Sequence, residues 1–87
     1  MLFQGDNKAM RMNQIIDLSS LPPGTRAKVV DIVAGSGLRI RLLQMGLTPG
    51  TELEIVDKHG GVIVIRFRGT VLGISKGIAR KIFVLPL

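Results

Sequence analysis

The chain has 87 residues, 12 basic and 6 acidic, with a net charge of +6 and no cysteine. This length suits one domain with a limited core, the missing cysteines exclude disulfides and thiolate metal sites, and no apolar run nears the roughly 20 residues of a membrane-spanning helix. Three phenylalanines are the only aromatic residues, too few for the stacking platforms of single-strand binders or the aromatic grooves that hold proline-rich peptides.

Residues 1–11 have no usable periodicity. Leu2-Phe3-Gln4-Gly5 is similar to a viral protease recognition site, so 1–11 is read as a tag-like or disordered segment and 12–87 as the domain. Met10 or Met12 would suit a natural start. No secretory signal is visible, and with the missing cysteines this points to the cytoplasm. Ile15, Ile16, Leu18 and Leu21 are expected to anchor the entry to the core. Pro22-Pro23-Gly24 is a turn, and residues 25–32 alternate as a half-buried strand, Ala27 and Val29 facing one way, Arg26 and Lys28 the other.

Residues 36–50 hold the strongest local signals. Ser36 suits an N-cap, and Leu38, Leu42 and Met45 share a helical face expected to turn toward the core. Gly46 suits the left-handed position past a helix end, with Leu47 packing back on Leu42. Pro49-Gly50 suits a type II turn. The turn repeats an earlier one: Leu21-Pro22-Pro23-Gly24-Thr25 matches Leu47-Thr48-Pro49-Gly50-Thr51, and Val-Asp follows each, at Val30-Asp31 and Val56-Asp57. Two strands launched by one turn chemistry would bring Arg26 and Lys28 near Glu52 and Glu54 if they are neighbours.

Residues 62–68 are rich in β-branched side chains and read as a strand, with Arg66 and Arg68 marking its wet side. Gly69-Thr70 turns the chain into 71–74, where Gly73 signals a bulge or a close backbone approach. Ser75 can cap one helical turn over 76–80, and 82–85 closes the domain before Pro86. The expected architecture is an all-β, five-stranded SH3-like barrel with one inserted short helix and a helical turn before the last strand. An open sheet packed on the helix is the alternative.

Catalytic chemistry finds no grouping. Ser19, Ser20, Ser36 and Ser75 fall in caps or loops, and His59 is the one histidine, so no nucleophile has a base oriented by a third group. Gly35-x-Gly37 lacks the lysine of a phosphate loop. Glu52 and Glu54 read as a solvated face. Asp57 and His59 could reach a divalent ion across a dimer, but stable sites take three or four ligands, so an exposed turn is preferred. We expect no enzyme activity, no cofactor and no metal site. All six acids precede His59, whereas the remainder carries Arg66, Arg68, Lys76, Arg80 and Lys81, and a basic half suits an anionic partner surface. Arg39 and Arg41 have no acid three or four residues away, and arginines beside apolar surface are common at interfaces. The candidate partner-binding residues are therefore Leu38, Arg39, Arg41, Leu42, Arg66 and Arg68.

The order Pro23-Gly24, strand, small-residue turn, then Leu38-x-x-Arg41-Leu42-x-x-Met45-Gly46-Leu47-x-Pro49-Gly50 resembles the FeoA family, ferrous iron transport protein A. Gly69, Leu72, Ile74, Ala79 and Ile82 also fall where that family has glycine, apolar strand residues, alanine and isoleucine. The resemblance spans about Leu18 to Val84. It implies an SH3-like cytosolic protein supporting the ferrous iron transporter FeoB by docking on its cytosolic GTPase-bearing region, peripheral to the membrane only through that partner. The same domain type closes some iron- and manganese-dependent repressors, so a repressor's C-terminal domain is one alternative, and a small basic nucleic-acid-binding barrel is another. Weak homo-oligomerisation is compatible with either. Some relatives bind metal through extra histidines or cysteines that this chain lacks.

Overall fold

The computed structural model describes residues 14–87; the readings of residues 1–11, and of Met12 as a start, lie outside them. In chain order the elements are β1 (Ile16–Asp17), a 3-10 helix (Leu18–Ser20), β2 (Arg26–Ile32), α1 (Ser36–Gln44), β3 (Glu52–His59), β4 (Val62–Phe67), β5 (Thr70–Ser75), α2 (Lys76–Ala79) and β6 (Ile82–Pro86). The strands form one antiparallel sheet in the order β1-β6-β2-β3-β4-β5. Six strands replace the expected five, because Ile16 and Asp17 pair with Val84 and Phe83 at the edge of β6. Pro86 belongs to β6, opposite Ala27, rather than ending it.

Side-chain alternation becomes alternation of burial. Ala27, Val29 and Ile32 of β2, Leu53 and Ile55 of β3, Ile63, Ile65 and Phe67 of β4, Ile74 of β5, and Ile82 and Val84 of β6 meet in one core with Leu18, Leu42, Leu47 and Ala79. One face of five strands thus surrounds a single apolar centre. The barrel is not closed by hydrogen bonds, since β1 and β5 stand at opposite ends of the ladder. Instead α2 packs against β4, β5 and the 3-10 helix, filling the gap between the ends. Lys58 helps here, its ammonium donating to the Ser19 carbonyl at 2.7 Å. Asp17 anchors the same corner by accepting from the Ser19 and Ser20 hydroxyls. Partial burial pushes its carboxyl up, but these bonds, with backbone amides, outweigh it and hold the group below its ordinary value.

The repeated turn motif has a three-dimensional counterpart. Gly24 N donates to Ile55 O and Gly50 N to Val29 O, both at 2.7 Å, while Ile55 N reaches Thr25 O and Val29 N reaches Thr51 O, both at 2.8 Å. Between them Ala27 faces Leu53, with Arg26 opposite Glu54 and Lys28 opposite Glu52. Both strands then shift register, at Val29/Asp31 against β6 and at Ile55/Asp57 against β4. Past each bulge the aspartate accepts from the next backbone amide at 2.8 Å, Ile32 N to Asp31 and Lys58 N to Asp57. The motif is therefore a local two-fold in which each Pro-Gly turn is tied to the partner strand just before its bulge, and the bulges bend the sheet around the core. The charged ladder is present as expected, with Arg26 3.3 Å from Glu52. By contrast, Gly73 marks no bulge, since the β4–β5 register is unbroken. It is a close approach: a Cβ there would lie 3.2 Å from Val62 Cγ1.

Helix α1 begins one residue earlier than a Ser36 cap requires. Gly35 is the N-cap and supplies no side-chain hydrogen bond, so the first amides lack the partner that Ser36 was expected to provide. The C-terminal end follows the expectation closely. Gly46 has φ of 98°, its amide donates to Leu43 O at 3.0 Å, and Leu47 N donates to Leu42 O at 3.0 Å, the two bonds of a Schellman motif. Buried Thr51 then links helix end and turn, its hydroxyl donating to Gly46 O at 3.0 Å and accepting from Thr48 N at 3.3 Å.

Two expected results arise from this geometry. Gly37→Ala should raise stability by about 0.5–1 kcal/mol, because a Cβ there meets nothing within 4 Å; a thermal melt reads it as a rise of a few degrees. Thr51→Val should lower stability by about 1–3 kcal/mol in urea unfolding, since the Gly46 carbonyl and the Thr48 amide both lose their buried partner.

Candidate protein-docking site

Only one residue of α1, Leu42, is fully buried. Leu38 is half-buried against the core, and Met45, expected to face inward, is 42 % exposed. Met45 sits at the C-cap, where the helix has already passed its contact with the core. Leu38, Leu42 and Met45 instead form one wall of a groove of about 260 Å³ whose other wall is Leu72, Ile74 and Ile78, from β5 and α2. Arg41 stands on its helical wall, and no acidic residue lines it. The groove is thus apolar in its floor and cationic at one side.

The four candidate arginines separate once their partners are known. Arg39 is engaged: its guanidinium donates to the Ile32 carbonyl at 2.6 Å and lies 3.9 Å from Asp31. The acid is eight positions back, on β2, beyond the reach of a helical-spacing argument. Arg66 pairs with Glu54 at 3.3 Å across β3 and β4. Arg68 is the first residue of the two-residue β4–β5 turn, with φ of 50°, and lines a different, polar depression with Arg26, Glu52, Glu54 and Arg66. Neither Arg41 nor Arg68 has an ion pair among the described residues, and of the two only Arg41 lines the apolar groove. The structure therefore brings Leu38, Arg41 and Leu42 together, turns Arg39 to holding α1 on β2, and places Arg66 and Arg68 on a face of mixed charge with Arg26, Glu52 and Glu54. Leu72, Ile74 and Ile78 escaped the sequence reading as site residues, because their alternation reads equally well as core.

Asp57 and His59 gain no further ligand. Asp57 accepts from the Lys58 amide, and no three His, Cys, Asp or Glu come together among the described residues. Among those residues no helix is long and apolar enough to cross a membrane.

A partly open six-stranded barrel, one short helix and an apolar groove between them define a small SH3-like β domain. The FeoA domain model matches residues 16–86, and the chain belongs to the FeoA family. It is 34% identical over 61 residues to a proposed Fe(2+) transport protein A of Methanocaldococcus jannaschii, covering 70% of this chain and 74% of that one. The crystal structure of an iron uptake regulatory protein, FeoA, superposes with a TM-score of 0.76 at 35% identity, over 85% of this chain and 99% of that one. FeoA of Stenotrophomonas maltophilia, crystallised with zinc and described as a prokaryotic SH3 domain protein, gives 0.72 at 25% identity, over 79% and 88%. A manganese-dependent transcriptional repressor gives 0.77 at 17% identity over 86% of this chain and 43% of its own length. That last likeness shows a shared fold alone.

Proposed function

We propose that this protein is a non-catalytic accessory factor of ferrous iron transport that binds the cytosolic, GTPase-bearing region of a FeoB-like membrane transporter through the groove between α1 and β5. The observation that carries this reading is an apolar groove beside an arginine with no ion pair among the described residues, on a chain that matches the FeoA model over residues 16–86. The S. maltophilia relative is described as a candidate ferrous iron transport activating factor, and this role is extended here to the present chain. Docking needs exposed apolar surface and uncompensated charge, and both coincide where half-buried Leu38 and exposed Met45 flank Arg41. The face bearing Arg66 and Arg68 also carries Glu52 and Glu54, which pair with Arg26 and Arg66 and interrupt the run of cations that a phosphate-tracking surface uses, which favours a protein-docking groove. No cofactor is required.

The test is capture of the cytosolic region of the transporter from the same genome, with ferrous iron uptake in a strain lacking this protein. Arg41→Glu should melt like the wild type, because its side chain has no partner to lose, and should weaken capture about tenfold or more by setting like charge against an acidic surface. Arg39→Glu serves as the contrast and should lose about 1 kcal/mol of stability with its bond to Ile32. Normal uptake together with no capture overturns the reading.

A further inference from the structure

The β4–β5 hairpin closes through two residues, so Phe67 and Thr70 form its first hydrogen-bonded pair. Along the unbroken register the bonded pairs are then Phe67–Thr70, Ile65–Leu72 and Ile63–Ile74. Lys76 N bonds Gly61 O at 2.9 Å, continuing the same alternation. Val71 and Gly73 therefore point their amides and carbonyls away from β4, along the free edge of the sheet.

Natural edges are normally blunted by charge, proline, a bulge or a cover. The β5 edge has none of the first three: its six residues are Thr-Val-Leu-Gly-Ile-Ser, Val71 is 60 % exposed, and no bulge interrupts it. Helix α1 does not cover it, since the apolar groove runs between them. The opposite edge, β1, has two residues. Among the described residues, an edge without charge, proline or bulge beside an apolar groove has the parts of a strand-accepting site.

We propose, resting on the docking function above, that the groove takes its partner as an added β-strand. An extended segment pairs with the outward groups of Val71 and Gly73, sets its alternate apolar side chains between Leu72, Ile74 and Leu42, and presents a carboxylate to Arg41. Charge selects this occupant: among the described residues the groove wall carries a cation without an ion pair and no anion. Gly73 contributes by having no side chain beside the incoming backbone.

Amide hydrogen exchange with and without ligand tests the mode directly, using two probes. One is the transporter's cytosolic region. The other is a nine-residue peptide alternating valine and threonine around a central aspartate, at millimolar concentration. Each should slow exchange at Val71 and Gly73 by about tenfold or more, and Arg41→Glu should weaken both. Val71→Pro removes one outward donor without touching the β4 ladder, so it should abolish the protection; its melt and exchange at Ile63 and Ile65 verify the fold. Val71→Lys is the second variant should proline unfold the hairpin, and it should also reduce binding. Peptide protection without capture of the transporter region keeps the strand-accepting edge and removes the transporter reading. Capture without protection at Val71 and Gly73 does the reverse. Failure of both probes to protect these amides overturns the proposal, as does protection appearing in the isolated protein as its concentration rises, which would assign the edge to a second copy.

Discussion

Leu42→Ala should lower stability by about 2–5 kcal/mol, a large share of what a domain this small holds. Leu42 is 2 % exposed and lies in the same core as Leu18, Leu47 and Ile74. It is also the one fully buried residue of α1, so truncation removes the helix's main attachment as well as leaving a cavity. The helix has no N-cap side chain and contains Gly37 near its start, so little intrinsic propensity remains to hold it. Urea unfolding should show a lower midpoint, and Leu42→Met should cost less than about 1.5 kcal/mol because volume is kept. A loss below 1 kcal/mol for the alanine variant would mean that α1 does not depend on this contact. Because Leu42 also lines the groove, capture measured on this variant would mix two effects, and Arg41→Glu remains the cleaner reading of docking.

Gly46→Val should cost about 1–3 kcal/mol for a different reason. Space is not the obstacle, since a Cβ at Gly46 would meet Phe67 Cε2 at 3.5 Å, an ordinary contact. The obstacle is φ of 98°, which a β-branched residue resists strongly. Relief by changing the backbone would break the Gly46–Leu43 and Leu47–Leu42 bonds and take away the carbonyl that Thr51 uses. Gly46→Ala separates the terms: it fits the space but keeps most of the conformational cost. A melt for Gly46→Ala within about 0.5 kcal/mol of the wild type would show that the left-handed end is not required.

Much of this was legible because it is local chemistry. A glycine four residues past Leu42, followed by leucine, is enough to write the helix end, since the Schellman bonds span six residues. Pro-Gly fixes a turn by φ alone, and alternation in 26–32 and 52–55 marks the buried faces. The helix start was misplaced by one residue because serine and glycine are both acceptable at an N-cap, and side-chain capping depends on geometry that the two names do not encode. Helical spacing places Met45 on the core face because it gives a face but not the length over which a neighbour follows it. The strand at Ile16–Asp17 is legible only as a core anchor, since two residues carry no period.

The amino-acid sequence by itself determined the types of the longer elements, the turn chemistry, the glycine stop and the absence of cysteine chemistry, because each depends on residues within a few positions of one another. Only the tertiary structure decided which arginines are free. Arg39 is taken by Ile32 and Asp31 and Arg66 by Glu54, partners that strand pairing and chain reversal bring close. The same is true of the two-fold of Pro-Gly turns, whose 2.7 Å bonds join residues 21 and 31 positions apart. It is true also of the groove, where Leu38 and Leu42 meet Leu72 and Ile78. Free surface is a property of what the whole fold fails to cover, so no local pattern of residues can specify it.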